Sequence, residues 1–422
     1  MRRILCFSLM LVAMLVAMAT DPTATNFSFS DCQGSLKPYT EPNEVYDYPD
    51  SLAPVFINYV GRHGSRFPAS ATHCKQLCEI LEKAQDQGTI TKLGGELLNL
   101  VQYVMEYADG QWGALDSLGI YEQRSIAARM YNKYPMLFKE KQVETISSYS
   151  PRCVMSMNSF THQLLRMNNT IELSAQSGRG KSYLMRPFDV EVSYKEFIEL
   201  GHWKEPYLQH YEKVVPTSAL ERVLGSGFNY GDVNPKELAI VEYYVIAGMS
   251  AMQIECDASR YFTPEEYNAL WSCFNLRQYL QRTSTILSST PADIASPLLC
   301  DLIESVDSVV ARKGNTIVSA KLRFGHAETL MPLLSLMRLK GCNYKTNYFD
   351  TVALHWQDFN VVPMSANLQM ILFKTKKGKF YVRIDRNEKP VAFIPGSDDV
   401  YVSWDEARKY LEKCVPLYYQ TW

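Results

Sequence analysis

The sequence predicts an α/β fold: a mixed sheet flanked by helices, with a mainly α-helical domain inserted into it. Three observations carry that expectation. Between 55 and 165, short β-branched runs alternate with stretches of helical spacing, the pattern of strands and the helices that cover them. Over 177–297, β-like runs become scarce and helical stretches take over. From 315 onward strands return, so the sheet is expected to draw on both parts of the chain. The expected division is a leader over 1–19, a first α/β part over 20–176, the helical insertion over 177–297 and a second α/β part over 298–422.

V-F-I-N-Y-V (55–60) has the length and branching of a fully buried strand. After Pro68, 74–84 and 97–107 carry apolar residues at helical spacing. The stretch 116–134 does the same and stops at Pro135, which cannot continue a helix. Residues 144–150 alternate like a strand, and 153–165 read as a helix. S-G-R-G-K-S (177–182) reads as a loop, and 236–252 as a long helix. The strands then resume at 315–325, and 368–375 and 380–384 form an expected hairpin around K-K-G-K.

Arg2 and Arg3 precede an apolar run over 4–18, and Ala17-Met18-Ala19 has the small residues of a cleavage site. That is the pattern of a secretory signal peptide, and the run is shorter than a full membrane span. The expected mature chain starts near Thr20, is periplasmic or secreted, and has no membrane contact after cleavage. Lys and Arg number 43 against 45 Asp and Glu, a formal net charge of −2, so there is no basic excess to bind nucleic acid. Hydrophobic residues make up 46% and charged residues 21%, which excludes a disordered chain. Of the 10 cysteines, Cys6 falls in the leader; an oxidising compartment favours pairing among the rest, and Cys256 with Cys273 is the expected pair. Cys74 and Cys78 share a helix face, but no second ligand pair at zinc spacing accompanies them.

G-R-H-G-S-R-F-P (61–68) stands where the first strand should end. Arg and His are rarely buried without partners, and positive charges crowded together call for an anion among them. In open α/β sheets the ligand crevice lies outside the carboxyl ends of the strands. Arg62 and Arg66 offer planar donor forks that suit phosphate oxygens. His63 between them can attack phosphorus through a ring nitrogen. Arg152 follows the strand over 144–150 at a helix start, a place that favours anions, and is a third donor. His326 and Glu328 in R-F-G-H-A-E-T-L (323–330) stand at another strand end. Ester hydrolysis needs an acid for the departing oxygen and a base for water, and no other carboxylate is placed so clearly for both.

R-H-G-S-R-F-P resembles the R-H-G-x-R-x-P signature of histidine acid phosphatases, branch 2 of the histidine phosphatase superfamily. Most of that branch carries H-D at the second motif, whereas His326-Ala327-Glu328 is similar to the multiple inositol polyphosphate phosphatases. S-P-R-C-V-M-S (150–156), L-M-R-P-F-D (184–189) and V-P-M-S-A-N-L (362–368) resemble further segments of that family. The resemblance implies the histidine phosphatase fold, a nucleophilic His63 and a phosphate grip of Arg62, Arg66 and Arg152. It implies that His326 donates to the transferring oxygens, that Glu328 protonates the leaving oxygen, and that Arg186 meets phosphates beyond the scissile one.

The implied substrates are phosphorylated inositols, above all myo-inositol hexakisphosphate (phytate), and the implied activity is that of a phytase. Phosphoryl transfer is catalysed mainly by positioning and charge stabilisation. Three arginines and His326 supply both, so no metal or other cofactor is expected. Arg179, Lys181 and Arg186 are candidates for the extra charge that a dense polyanion needs. Two other readings stay open: a broad-specificity acid phosphatase, disfavoured by H-A-E and Arg186, and a phosphate-ester binding protein without turnover.

Overall fold

The computed structural model describes residues 27–419, so the expected leader over 1–19 lies outside the described residues. β1 (Leu52–Arg62) contains V-F-I-N-Y-V and extends it at both ends. It is followed by β2 (Gln142–Ser147), β3 (Glu172–Ser177), β4 (Val318–Gly325), β5 (Asn367–Thr375), β6 (Phe380–Arg386), β7 (Lys389–Val391) and β8 (Val402–Ser403). They form one eight-stranded sheet in the order β3-β2-β4-β1-β5-β6-β7, with β8 on β6. β3, β2, β4 and β1 run parallel to one another, whereas β5 is antiparallel to β1 and forms the expected hairpin with β6. The sheet is mixed, as the sequence predicts.

Alternate side chains of β1 enter different cores, as a period of two requires. Phe56 and Val60 join the cluster built on helices Ser296–Ala311, Ala327–Leu336 and Trp404–Cys414. Ile57 and Tyr59 join the cluster of helices Ser117–Lys133 and Pro151–Met167 on the other face. A third cluster lies among helices alone: Leu77, Leu81, Leu97 and Val101 meet Leu220, Val223, Leu238 and Trp271. Helices Thr72–Asp86 and Lys92–Tyr107 therefore pack with those of the 204–282 stretch. Their apolar faces are visible in the sequence, but the partner of each face is not.

β3 was not legible because its E-L-S-A-Q-S is polar and mostly exposed at the sheet's edge, leaving no inside-outside alternation to read. β7 and β8 are too short to carry a pattern. The expected Cys256–Cys273 disulfide is corrected: both are free thiols. Cys273 is buried in the helical cluster from helix Pro264–Arg282, whereas Cys256 packs at the margin of that cluster. Cys74 and Cys78 are thiols too, burial pushing each up to about 11. Among the described residues no helix is long and apolar enough to cross a membrane.

One buried carboxyl gives the fold a pH dependence. Glu242, on helix Pro235–Gly248, is buried, and among the described residues neither of its carboxyl oxygens has a hydrogen-bond partner. Burial is the main cause that pushes it up to about 8, with Arg222 pulling down and Glu266 pushing up. A raised carboxyl favours the fold below its unfolded value of 4.5 and loses that contribution as the pH rises through about 8. Glu242→Gln is therefore expected to raise the melting temperature by roughly 5 °C at pH 8 and little at pH 5. Equal shifts at both values would show that the carboxyl does not titrate in this range.

Candidate active site

β4 lies between β2 and β1 and runs parallel to both, so three carboxyl ends stand side by side. Arg62 is opposite Gly325, and Ser147 is opposite Phe324. The chain then delivers His63 from β1, Ser148 to Arg152 from β2 and His326 from β4 into one crevice. Backbone bonds lock the three exits together: His63 N–H donates to the Gly325 carbonyl at 3.0 Å and Ser148 N–H to the Phe324 carbonyl at 2.9 Å.

The loop after β1 is held by groups the sequence reading missed. Glu122, on helix Ser117–Lys133, accepts from Ser65 N–H at 2.8 Å and from the Ser65 hydroxyl at 2.6 Å. The same carboxylate takes Tyr39 N–H at 2.9 Å and the Ser365 hydroxyl at 2.8 Å. Gln123 donates to the Arg62 carbonyl at 3.0 Å. The helix comes so close that a Cβ on Gly64 would stand 2.5 Å from the Gly119 carbonyl oxygen. Glycine at both positions permits that approach. A glutamate in a helical run gives no sequence signal for this, because its partners are far along the chain.

His63 is buried, and its Nδ1 lies 2.9 Å from the Gly64 carbonyl oxygen. A carbonyl only accepts, so Nδ1 carries the proton and Nε2 keeps its lone pair. Burial, then Arg62, Arg152 and Arg66, hold the imidazole well below its usual range, which favours the neutral ring. Arg62 is buried as well; its Nη1 donates to the Ser35 carbonyl at 2.6 Å and the Val362 carbonyl at 2.5 Å. Burial and Arg66 bring it down to about 10, so it stays charged. Arg66 donates to the Phe67 carbonyl at 2.7 Å. The Nε atoms of Arg62, Arg66 and Arg152 have no hydrogen-bond partner among the described residues. Buried N–H groups of that kind are normally satisfied, and an oxyanion among them would do so.

His326 caps the helix Ala327–Leu336, and its ring is hemmed in. The Ser148 hydroxyl is 2.9 Å from its Nε2, Arg186 Nη1 is 2.8 Å from the same atom, and Arg152 Nη2 is 3.3 Å from Nδ1. Burial, opposed by Glu328 and reinforced by Arg152 and Arg186, brings it down to about 3. A neutral imidazole has one N–H and one lone pair, so the two guanidinium groups cannot both donate to it. An anion that draws either one away frees a ring nitrogen to face that anion. The rings of His63 and His326 are 5.7 Å apart.

Glu328 sits in the first turn of that helix, and Arg282 Nη2 lies 3.9 Å from its carboxylate. Burial pushes the carboxyl up, but Arg282 and His326 outweigh it and hold it down to about 2. Arg282 is the last residue of helix Pro264–Arg282. It brings the helical stretch to the site, and the sequence reading missed it because nothing local marks it. Arg186 reaches further in than an outer contact requires, touching His326 while its Nε donates to Asp189 at 2.5 Å. The structure thus gathers all of His63, Arg62, Arg66, Arg152, Arg186, His326 and Glu328. Arginine charge dominates the crevice, and no group of three or more His, Cys, Asp or Glu among the described residues is arranged to hold a metal.

The mixed sheet with flanking helices is the fold of solved inositol polyphosphate phosphatase and phytase structures. In sequence the chain is 24% identical to multiple inositol polyphosphate phosphatase 1 of Homo sapiens over 376 residues, covering 81% of this chain and 76% of the human protein. It is 25% identical to the Gallus gallus protein of the same name over 389 residues, covering 87% and 82%. The fold matches that of the Bifidobacterium longum multiple inositol polyphosphate phosphatase in complex with inositol hexasulfate, with a TM-score of 0.75, 17% identity and coverage of 92% and 99%. A phytase from D. castellii superposes with a TM-score of 0.71 at 17% identity, covering 94% and 88%. No protein-family model matches the chain.

Proposed function

We propose that this chain is a phosphomonoesterase that hydrolyses inositol polyphosphates through a phosphohistidine. The observation that carries the reading is His63: buried, with Nδ1 tied to Gly64, which leaves the lone pair on Nε2, and with the charges of Arg62, Arg152 and Arg66 acting on its ring. Its relatives over most of the chain carry inositol polyphosphate phosphatase names, which supports the substrate class.

In the first step the His63 Nε2 lone pair attacks phosphorus as the bond to the ester oxygen breaks. Arg62, Arg66 and Arg152 balance the charge on the equatorial oxygens. Glu328 gives its proton to the departing alkoxide. In the second step water attacks the phosphohistidine, Glu328 takes a proton from it, and inorganic phosphate leaves with His63 restored. In the free protein Glu328 is a carboxylate, since it titrates at about 2. A polyanion bound beside it offsets the field of Arg282 and raises its proton affinity, so the substrate itself loads the acid.

The test is turnover of phytate against p-nitrophenyl phosphate by the unmodified protein. The expected result is a kcat/KM for phytate at least tenfold higher. Preference for p-nitrophenyl phosphate would give a broad-specificity phosphatase, and binding of both without turnover would give a binding protein. We also infer an export signal over 1–19 and a periplasmic or secreted location, on the strength of Arg2, Arg3 and the apolar run over 4–18. The division into 20–176, 177–297 and 298–422 is our reading of the domains; the absence of strands between β3 and β4 supports it.

A further inference from the structure

Tyr149, between Ser148 and the helix that carries Arg152, has no part in the steps above, yet it gathers charge. The Arg179 and Arg186 guanidinium carbons each stand 4.9 Å from the centre of its ring. Its hydroxyl donates to Asp189 at 3.3 Å, the carboxylate that also pairs with Arg186. The two arginines differ in what else holds them. Arg186 is anchored by Asp189 and by the Phe188 ring, 4.9 Å away, and points to His326. Arg179 is exposed, makes no ion pair or side-chain hydrogen bond among the described residues, and meets only the Tyr149 ring.

Two like charges on one ring repel each other. The negative face of the aromatic ring offsets that repulsion while leaving the N–H forks free for an anion. The pair lies within about 10 Å because both carbons are within cation–π range of one centroid. One member touches the catalytic pocket and the other faces solvent beyond it. We infer that Tyr149 is a positioning residue that holds Arg179 as the donor for a second, non-reacting phosphate of the substrate. This rests on the inositol polyphosphate reading above. It gives Tyr149 a role in selectivity and none in the chemistry.

The experiment compares Tyr149→Ala and Tyr149→Phe on phytate and p-nitrophenyl phosphate, with the pentakisphosphate products resolved by ion-exchange chromatography. Tyr149→Ala is expected to lower kcat/KM for phytate roughly tenfold, chiefly through KM, because a charge-assisted contact is worth about that much. It should change the product mix and leave p-nitrophenyl phosphate turnover within about twofold, since Arg186 keeps its other two anchors. Tyr149→Phe retains the ring and should restore the phytate value. In an Arg179→Ala background the effect of Tyr149→Ala on phytate should shrink, which tests the coupling in a chain whose exposed arginine tolerates change. Equal losses on both substrates, failure of phenylalanine to rescue, or additive effects of the two alanine variants would each overturn the inference. Should the unmodified protein show no preference for phytate, the underlying substrate reading fails instead, and that is seen before any variant is made.

Discussion

Turnover of every phosphomonoester is expected to vanish in the His63→Ala variant, with a loss of roughly ten-thousand-fold or more, as for removal of other essential nucleophiles. The reason is geometric as well as chemical. The charges of Arg62, Arg66 and Arg152 act on the His63 ring, and His326 is contacted by Arg152, Arg186 and Ser148. A His326 nitrogen freed by a bound anion still belongs to a ring 5.7 Å from that of His63, away from the position of the attacking lone pair. Rapid denaturation of the unmodified protein in alkaline detergent during turnover should trap a phosphoryl group on His63 that is labile to acid and stable to alkali, located by mass spectrometry of the peptide containing it. The depressed titration of His63 adds a second expectation: the imidazole stays unprotonated in acid, so no loss of activity near pH 6 should trace to it. Substantial activity in the alanine variant would mean that water attacks phosphorus directly and that the histidine only binds.

The Glu328→Gln variant is expected to lose activity in proportion to how poor the leaving group is. An inositol alkoxide must be protonated as it departs, whereas p-nitrophenolate leaves with little help, so the loss should be about a hundredfold or more on phytate and under about tenfold on p-nitrophenyl phosphate. Glutamine keeps the shape of the side chain and removes both the proton and the charge. The pair with Arg282 lends the variant a separate signature. A depressed carboxyl stabilises the fold above its unfolded value of 4.5, and that contribution disappears as the pH falls through about 2. Glu328→Gln should therefore melt below the unmodified protein at neutral pH and approach it in strong acid. Equal kinetic losses on both substrates would remove Glu328 from the role of acid, whatever the melting behaviour.

The two predictions stand on residues of very different legibility. His63 and its neighbours were readable because their signal is local: two arginines, a histidine and two glycines within a few residues of an apolar run favour a strand end facing an anion over a solvated surface loop. Arg152 and Glu328 carried weaker local signals, strengthened by their place after a strand and at a helix start. The strand ends were legible because period and length mark a buried strand without any knowledge of its neighbours. Arg186 was legible through resemblance alone, and its contact with His326 was not.

Local sequence was enough to mark the groups of the proposed chemistry: His63, Arg62, Arg66, Arg152 and Glu328 each follow the end of a recognisable strand. The tertiary structure decided what those groups are worth to one another. The order β2-β4-β1 brings together three exits that lie more than eighty residues apart at each step. Glu122 steadies the loop of His63, Arg282 arrives from the helical stretch to hold Glu328 charged, and Tyr149 gathers Arg179 beside Arg186. None of these has a local signature, because each acts through a partner distant in sequence. The same reason hid the free thiols of Cys256 and Cys273 and the packing of Thr72–Tyr107 with the later helices. Periodicity states that a face is apolar; only the folded chain selects what covers it.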